Sequence, residues 1–237
     1  MSVVAGPVVV PLKRSDIAKA IRTWDDAFKD DPLIRYVEGE TPRPKPKPLK
    51  KGVMTAFLTI WRRRKISLTI KAGSALIIAT PAKNQSGPPT PGDRVLDWIA
   101  GLMVKIWGRL GSAEQHKRQK EFQDKVKDAI SKHLGDRVND MLYLEIVATE
   151  PASQGRGYGG ALVDAVTAVA DSLLQESYLV SSNIANTEFY NSHGFKTARD
   201  ILIGDQNPNW RKPPVVVKLM VRAIGGHNDE KYCDGIM

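Results

Sequence analysis

Gln154-Gly155-Arg156-Gly157-Tyr158-Gly159-Gly160 follows the apolar run Leu142 to Ala148 and precedes Ala161-Leu162-Val163-Asp164-Ala165-Val166. A strand, a glycine turn and a helix start therefore come in direct succession. Glycine adopts φ > 0 without steric cost and lets backbone amides approach a ligand closely. The helix start adds unsatisfied N–H donors and a partial positive charge. Such a corner suits a pyrophosphate. It is not a dinucleotide loop, in which Gly-x-Gly-x-x-Gly follows a first strand and an acid lies about 20 residues on.

Downstream lies Asn186-Thr187-Glu188-Phe189-Tyr190-Asn191-Ser192-His193-Gly194-Phe195. Together the two segments resemble the paired motifs of the GCN5-related N-acetyltransferase superfamily. These are Gln/Arg-x-x-Gly-x-Gly/Ala at its acetyl-CoA loop and a later Asn…Phe-Tyr…Gly-Phe. Motifs and flanks cover residues 136–222, and nothing before them is diagnostic. The resemblance implies an α/β fold with a mixed, mostly antiparallel central sheet flanked by helices. It implies one N-acetyltransferase domain over 1–237, with a helical insertion around 83–135 and a frayed tail at 223–237. The activity it implies is direct transfer of acetyl from acetyl-CoA to an amine of a small molecule or peptide. The alternatives are another acyl-CoA on the same scaffold, or a non-catalytic acyl-CoA-binding regulatory module.

The resemblance assigns the grip on acetyl-CoA to the backbone of Gly155, Arg156, Gly157, Tyr158, Gly159 and Gly160 and to the Gln154 side chain. Arg156 either attracts a phosphate or is a solvated loop arginine. The strand before the corner splays from its neighbour in this family. That frees Ile146, Val147 and Ala148 for the pantetheine arm, with the Val147 amide facing the developing oxyanion. Tyr190 matches a tyrosine that protonates the departing thiolate, a role suited to a phenol near pKa ~10. Otherwise it packs against Phe189 and Phe195. Asn186 contacts the pantetheine arm or caps the short helix. Glu145 is the candidate base, alternation putting Tyr143, Glu145 and Val147 on one face. Its alternative is an exposed edge residue or salt-bridge partner. The strand Tyr178-Leu179-Val180-Ser181-Ser182 lacks the acidic or other polar position often found there in the family, which leaves the acceptor open.

A hydrophobic fraction of 42% in 237 residues can bury a real core. The net charge of +9 raises a nucleic-acid reading. Its lysines and arginines are dispersed, however, apart from 42–51 and Arg62-Arg63-Arg64-Lys65. Tryptophans 24, 61, 98, 107 and 210 form no recognisable stacking platform, so no nucleic-acid partner is expected. Cys233 alone permits neither an internal disulfide nor a cysteine-based zinc site. His116, His133, His193 and His227 are too dispersed for a metal set, so none is expected. No apolar run reaches the ~18 residues of a membrane span. The expectation is a soluble intracellular protein, cytoplasmic or nuclear, with no membrane contact.

Along the chain, Ser15 reads as the N-cap of a helix with Ile17, Ala20, Ile21, Trp24 and Phe28 on its apolar face, stopped by Asp31-Pro32. The Pro-Lys-Pro-Lys-Pro run at 44–48 reads as a stiff connector excluded from helix. A helix from about Lys50 carries Val53, Phe57, Leu58 and Trp61. A hairpin joins 66–70 to 75–79 across Gly73, and 84–92 is a loop. Residues 94–110 put Val95, Ile99, Leu102, Met103, Ile106 and Leu110 on one helical side. Residues 114–134 carry a thin stripe of Phe122, Val126, Ile130 and Leu134. These two helices either form one wall of the acceptor pocket or have an ordinary packing role. After the corner, Ala161, Leu162, Ala165, Val166, Val169 and Leu173 form the helix's core face. A strand at 177–182, a short helix and a strand at 215–221 complete the reading.

Overall fold

The computed structural model describes residues 6–39, 47–85, 90–109 and 111–226. His227, Cys233 and Leu110 lie outside the described residues, as do residues 44–46 of the proline run. Among the described residues, seven strands form one open sheet in the order β1-β2-β3-β4-β5-β7-β6. They are β1 Val10–Pro11, β2 Ile66–Ile70, β3 Ala75–Thr80, β4 Leu142–Thr149, β5 Ser177–Ser181, β6 Lys196–Ile203 and β7 Val215–Arg222. Every neighbouring pair is antiparallel except β4 with β5.

Helix α6, Tyr158–Ser172, and the short α7, Thr187–Asn191, cover one face. Leu162, Val163, Val166 and Ala170 of α6 are fully buried against Leu142, Leu144, Ile77 and Ala79. The buried side is rotated from the expected one: Val163 is inside, whereas Val169 and Leu173 are exposed. The phase of α6 is set at its start, where Tyr158 packs into the same core.

The opposite face is shared by two helical groups. Over β2, β3 and β4 lie α1, Ile17–Ala27, and α3, Lys47–Arg64, which bury Ile17, Ala20, Ile21 and Leu58 against Leu76, Ile78 and Ile146. Trp24 stacks on Trp61 at 5.8 Å. Over β7 and β6 lie α2, Pro32–Glu38, and α5, Ala113–His133, which bury Leu33, Tyr36 and Ala129 against Ile201, Ile203, Val217 and Leu219.

Several local expectations are corrected. Ser15 does not cap α1. It sits in a 3-10 turn, and Asp16 Oδ2 accepts from the Lys13 amide at 3.0 Å. Asp31-Pro32 starts a helix rather than merely ending one. Asp31 Oδ1 accepts from the Leu33 and Ile34 amides at 2.9 and 3.1 Å, and Pro32 fills the first helical position, where an N–H is dispensable. Pro48 falls within the first turn of α3, where proline is tolerated for the same reason, so the connector is not excluded from helix throughout.

Helix α4, Pro91–Arg109, turns Val95, Trp98, Ile99 and Leu102 to solvent, because it packs chiefly on α3. The side chains of Met103 and Ile106 lie outside the described set. Arg118 of α5 is buried between the rings of Tyr36 and Trp210, at 5.1 and 5.4 Å. It donates to Glu114 Oε1 and to the carbonyls of Tyr36 and Asn209. This knot ties α2 and α5 to the 204–213 loop.

Candidate active site

The site begins with a failure of pairing. β4 and β5 pair only over Leu142–Ser177, Tyr143–Tyr178 and Leu144–Leu179. From there β4 stays with β3 and leaves β5. The resulting cleft has a volume of about 560 Å³, within the range of small-ligand sites. Its lining includes Val147, Ala148 and Thr149 of β4, and Gln154, Gly155, Gly157, Tyr158, Gly159 and Gly160 of the corner. It also includes Asn183, Asn186, Phe189 and Tyr190 beyond β5, and Ala27, Phe28, Asp30 and Asp31 between α1 and α2.

The parting of β4 coincides with a β-bulge. Ile78 pairs with Ile146 and Ala79 with Leu144, leaving Glu145 as the extra residue. The bulge inverts the alternation beyond it. Ile146 and Ala148 pack towards α1, while Val147 joins Leu142 and Leu144 on the α6 side. Tyr143, Glu145 and Val147 therefore do not share a face. Glu145 is bound by Lys65 and by Thr80 Oγ1, the latter at 3.0 Å, and does not line the cleft. Of its two readings, the structure brings forward the salt bridge. Ile146 is buried beneath α1 and also lies outside the lining.

At the corner Gly155 and Gly157 take φ values of 72° and 74°, a region that glycine enters at little cost. A Cβ on either would meet no heavy atom within 4 Å, so their flank is open. Gly157 is the N-cap of α6 and no side chain caps the helix. The first turn closes from the Ala161 amide to Gly157 O at 3.0 Å. Among the described residues, the backbone amides of 155–160 meet no protein acceptor. An open glycine cradle with six amides at a helix N-terminus fits a diphosphate such as that of coenzyme A.

The two motif segments touch. A Cβ on Gly159 would approach Phe189 at 3.4 Å, and one on Gly160 would approach His193 at 3.1 Å. Glycine at both positions lets α7 lie against the start of α6. His193 Nδ1 meets Asp164 Oδ1 at 2.7 Å, one turn into α6. Tyr190 is buried to 9% exposure yet lines the cleft. Its ring meets Phe189 at 5.1 Å and Phe195 at 6.1 Å, so packing and access to the cleft coexist. Burial pushes its phenol up to about 12, which keeps it a neutral proton donor.

Asn186 lines the cleft at the N-cap of α7 but makes no capping hydrogen bond. The capping asparagine is Asn183, whose Oδ1 accepts from the Ala185 amide at 3.0 Å. Asn183 also lines the cleft and was missed in the sequence. The Asn-x-x-Asn repeat offered two candidates, and only the turn shows which one caps. Arg156 does not line the cleft, but the cations of Lys71 and Arg156 near Tyr158 lower that phenol's pKa, Lys71 having the larger effect.

Asp30 and Asp31 are the other unforeseen residues, because Asp-Asp-Pro read only as a helix stop. Asp31 is buried, with Ser182 Oγ donating to Oδ2 at 2.6 Å. Asp30 is exposed and paired with Arg35. Among the described residues, none of 83–135 lines the cleft, and the α1–α2 segment forms that side of it instead. Among the described residues no group of three His, Cys, Asp or Glu side chains could hold a metal ion, and no helix is long and apolar enough to cross a membrane.

Comparison with known proteins agrees with this geometry. Residues 121–197 match the family model of an acetyltransferase (GNAT) domain. Over these residues the chain is similar to the GCN5-related N-acetyltransferase superfamily. A Schizosaccharomyces pombe protein named as an uncharacterised N-acetyltransferase is 24% identical over 216 residues, covering 89% of this chain and 81% of that protein. The arylalkylamine N-acetyltransferase 2 of Aedes aegypti superposes with a TM-score of 0.62 at 14% identity, over 93% of this chain and 100% of that one. The polyamine N-acetyltransferase of Drosophila melanogaster gives 0.58 at 14% identity, over 91% and 99%. At such identities the two structures speak for the fold.

Proposed function

We propose that the protein is an acetyl-CoA-dependent N-acetyltransferase that acts on a small cationic amine, and that its 237 residues form one catalytic unit. The observation that carries this reading is a single cleft that combines the open glycine corner, the buried phenol of Tyr190 and the carboxylates of Asp30 and Asp31. Acetyl-CoA supplies the thioester carbonyl, and transfer forms a C–N bond to the amine as the C–S bond breaks.

The amides of 155–160 hold the diphosphate through the helix N-terminus. The edge of β4 freed from β5 takes the pantetheine arm as an added strand, and Gln154, Asn183 and Asn186 flank it. The Val147 amide is assigned to the carbonyl oxygen as it gains charge. Tyr190 donates its proton to the departing sulfur. The acceptor's ammonium is attracted by Asp30 and Asp31 and loses its proton to a carboxylate of this pair, directly or through water, and the neutral amine then attacks the carbonyl. Glu145, engaged by Lys65 and Thr80, is assigned to the bulge that opens the cleft.

The curated relative is named for N-acetyl transfer, and the structural neighbours are named for arylalkylamines and polyamines. Both support an amine acceptor. Titration calorimetry with acetyl-CoA, followed by thiol release across a panel of aryl, polyamine and peptide amines, tests the reading. Binding together with turnover on small cationic amines is expected. Binding without turnover across the panel would point instead to a regulatory acyl-CoA-binding module.

A further inference from the structure

This inference rests on the reading of the glycine corner as a diphosphate grip, and it concerns residues outside that loop. Ala75, the first residue of β3, pairs with Thr149 at the end of β4. That register brings the β2–β3 turn alongside the corner. Lys71 and Ala72 occupy the turn at φ 49° and 50°, followed by Gly73 at 103°. The turn is fixed from both sides: the Gly73 amide donates to Thr69 Oγ1 at 2.9 Å, and Thr23 Oγ1 donates to Gly73 O at 2.6 Å.

From this anchored base the Lys71 ammonium lies 5.4 Å from the ring centroid of Tyr158, itself a cleft-lining residue. Arg156, in the loop itself, also lowers the pKa of that phenol. The neighbouring carboxylate is Glu150, which faces Lys19 at 3.9 Å, accepts from Ser153 Oγ at 2.8 Å and also feels Arg156. Lys71 therefore stands against the Tyr158 ring at the rim of the corner with Arg156 in the adjoining loop, and the nearby carboxylate is largely engaged elsewhere. A lysine ammonium on such a rim attracts phosphate oxygens as a point charge.

We propose that Lys71, with Tyr158 and Arg156, forms a second phosphate clamp beside the glycine corner and sets the affinity for the phosphorylated end of the ligand. Both the diphosphate and the 3′-phosphate of coenzyme A carry the required chemistry. The test is calorimetric titration of the full chain with acetyl-CoA and with acetyl-dephospho-CoA, using wild type, Lys71→Gln and Lys71→Arg, with melting temperatures recorded for each.

Lys71→Gln is expected to weaken acetyl-CoA binding about tenfold and to flatten its salt dependence. Lys71→Arg should recover most of both. A loss seen equally with the dephospho compound assigns the clamp to the diphosphate, and a loss confined to acetyl-CoA assigns it to the 3′-phosphate. Wild-type affinity and salt slope in Lys71→Gln overturn the clamp while leaving the glycine corner standing. Failure of Lys71→Arg to restore binding overturns it too, since only bulk at the turn would then matter. No binding to wild type removes the parent reading, and the clamp with it.

Discussion

Tyr190 shows how one residue serves the core and the cleft at once. Its ring closes the contact between α7 and α6, while its edge lines the cavity. Tyr190→Phe keeps the packing and removes the proton. Turnover should fall by about 10²-fold or more, the usual range for a lost acid, with acetyl-CoA affinity unchanged in calorimetry. Undiminished turnover would remove the phenol from the mechanism. Because burial holds the group at about 12, it stays protonated up to roughly pH 11. An alkaline limb in the rate profile below that pH must come from another group, and Tyr190→Phe should leave its midpoint in place. Tyr190 was legible from its motif, and so were the glycines, because the need for φ > 0 is written in residue type. The shared face of Tyr143, Glu145 and Val147 was misread because it depends on a bulge created by pairing with β3.

At the scale of elements, the best-read pieces were those with their own periodicity or turn chemistry: α1, the β2–β3 hairpin, α5, α6 and β7. β6 was not foreseen. As an edge strand it alternates weakly and exposes Lys196, Arg199 and Asp200, a pattern that protects an open edge and conceals the strand in the sequence. α2 was hidden because Asp-Pro serves equally as a stop and as a cap followed by a first residue. Gly73 locks α1 to the hairpin. A Cβ there would lie 2.9 Å from the Ala20 amide nitrogen, at a φ of 103°. Gly73→Ala should therefore cost more than about 1 kcal/mol, seen as a lowered denaturation midpoint at unchanged m-value. In the α2–α5 knot, hydrogen bonds from Asn207, then Asn209 and Arg118, hold Glu114 down to about 2. Its folded pKa lies below the ordinary glutamate value of 4.5, so its stabilising contribution is complete above about 4.5 and is lost as pH falls through 2. Melting curves of the wild type should show this acid loss between pH 4.5 and 2, and Glu114→Gln should lose that component. An identical pH profile in the variant would contradict the assignment.

Across the whole molecule, a net charge of +9 surrounds a cleft whose proposed cosubstrate is strongly anionic. Association with acetyl-CoA should slow as salt is raised from about 0.01 to 0.15 M, where the Debye length falls from about 30 to 8 Å. Stopped-flow rates independent of salt would count against steering. The sequence by itself determined the α/β class, the strand–glycine–helix corner and the identity of Tyr190, because period, turn residues and caps are local properties of the chain. Only the tertiary structure decided where β4 leaves β5, that Glu145 is bound by Lys65, and that Asp30, Asp31 and Lys71 stand beside the corner. Those outcomes arise from pairings between segments 35 to 151 residues apart, and no local pattern encodes a register that two distant strands must settle between them.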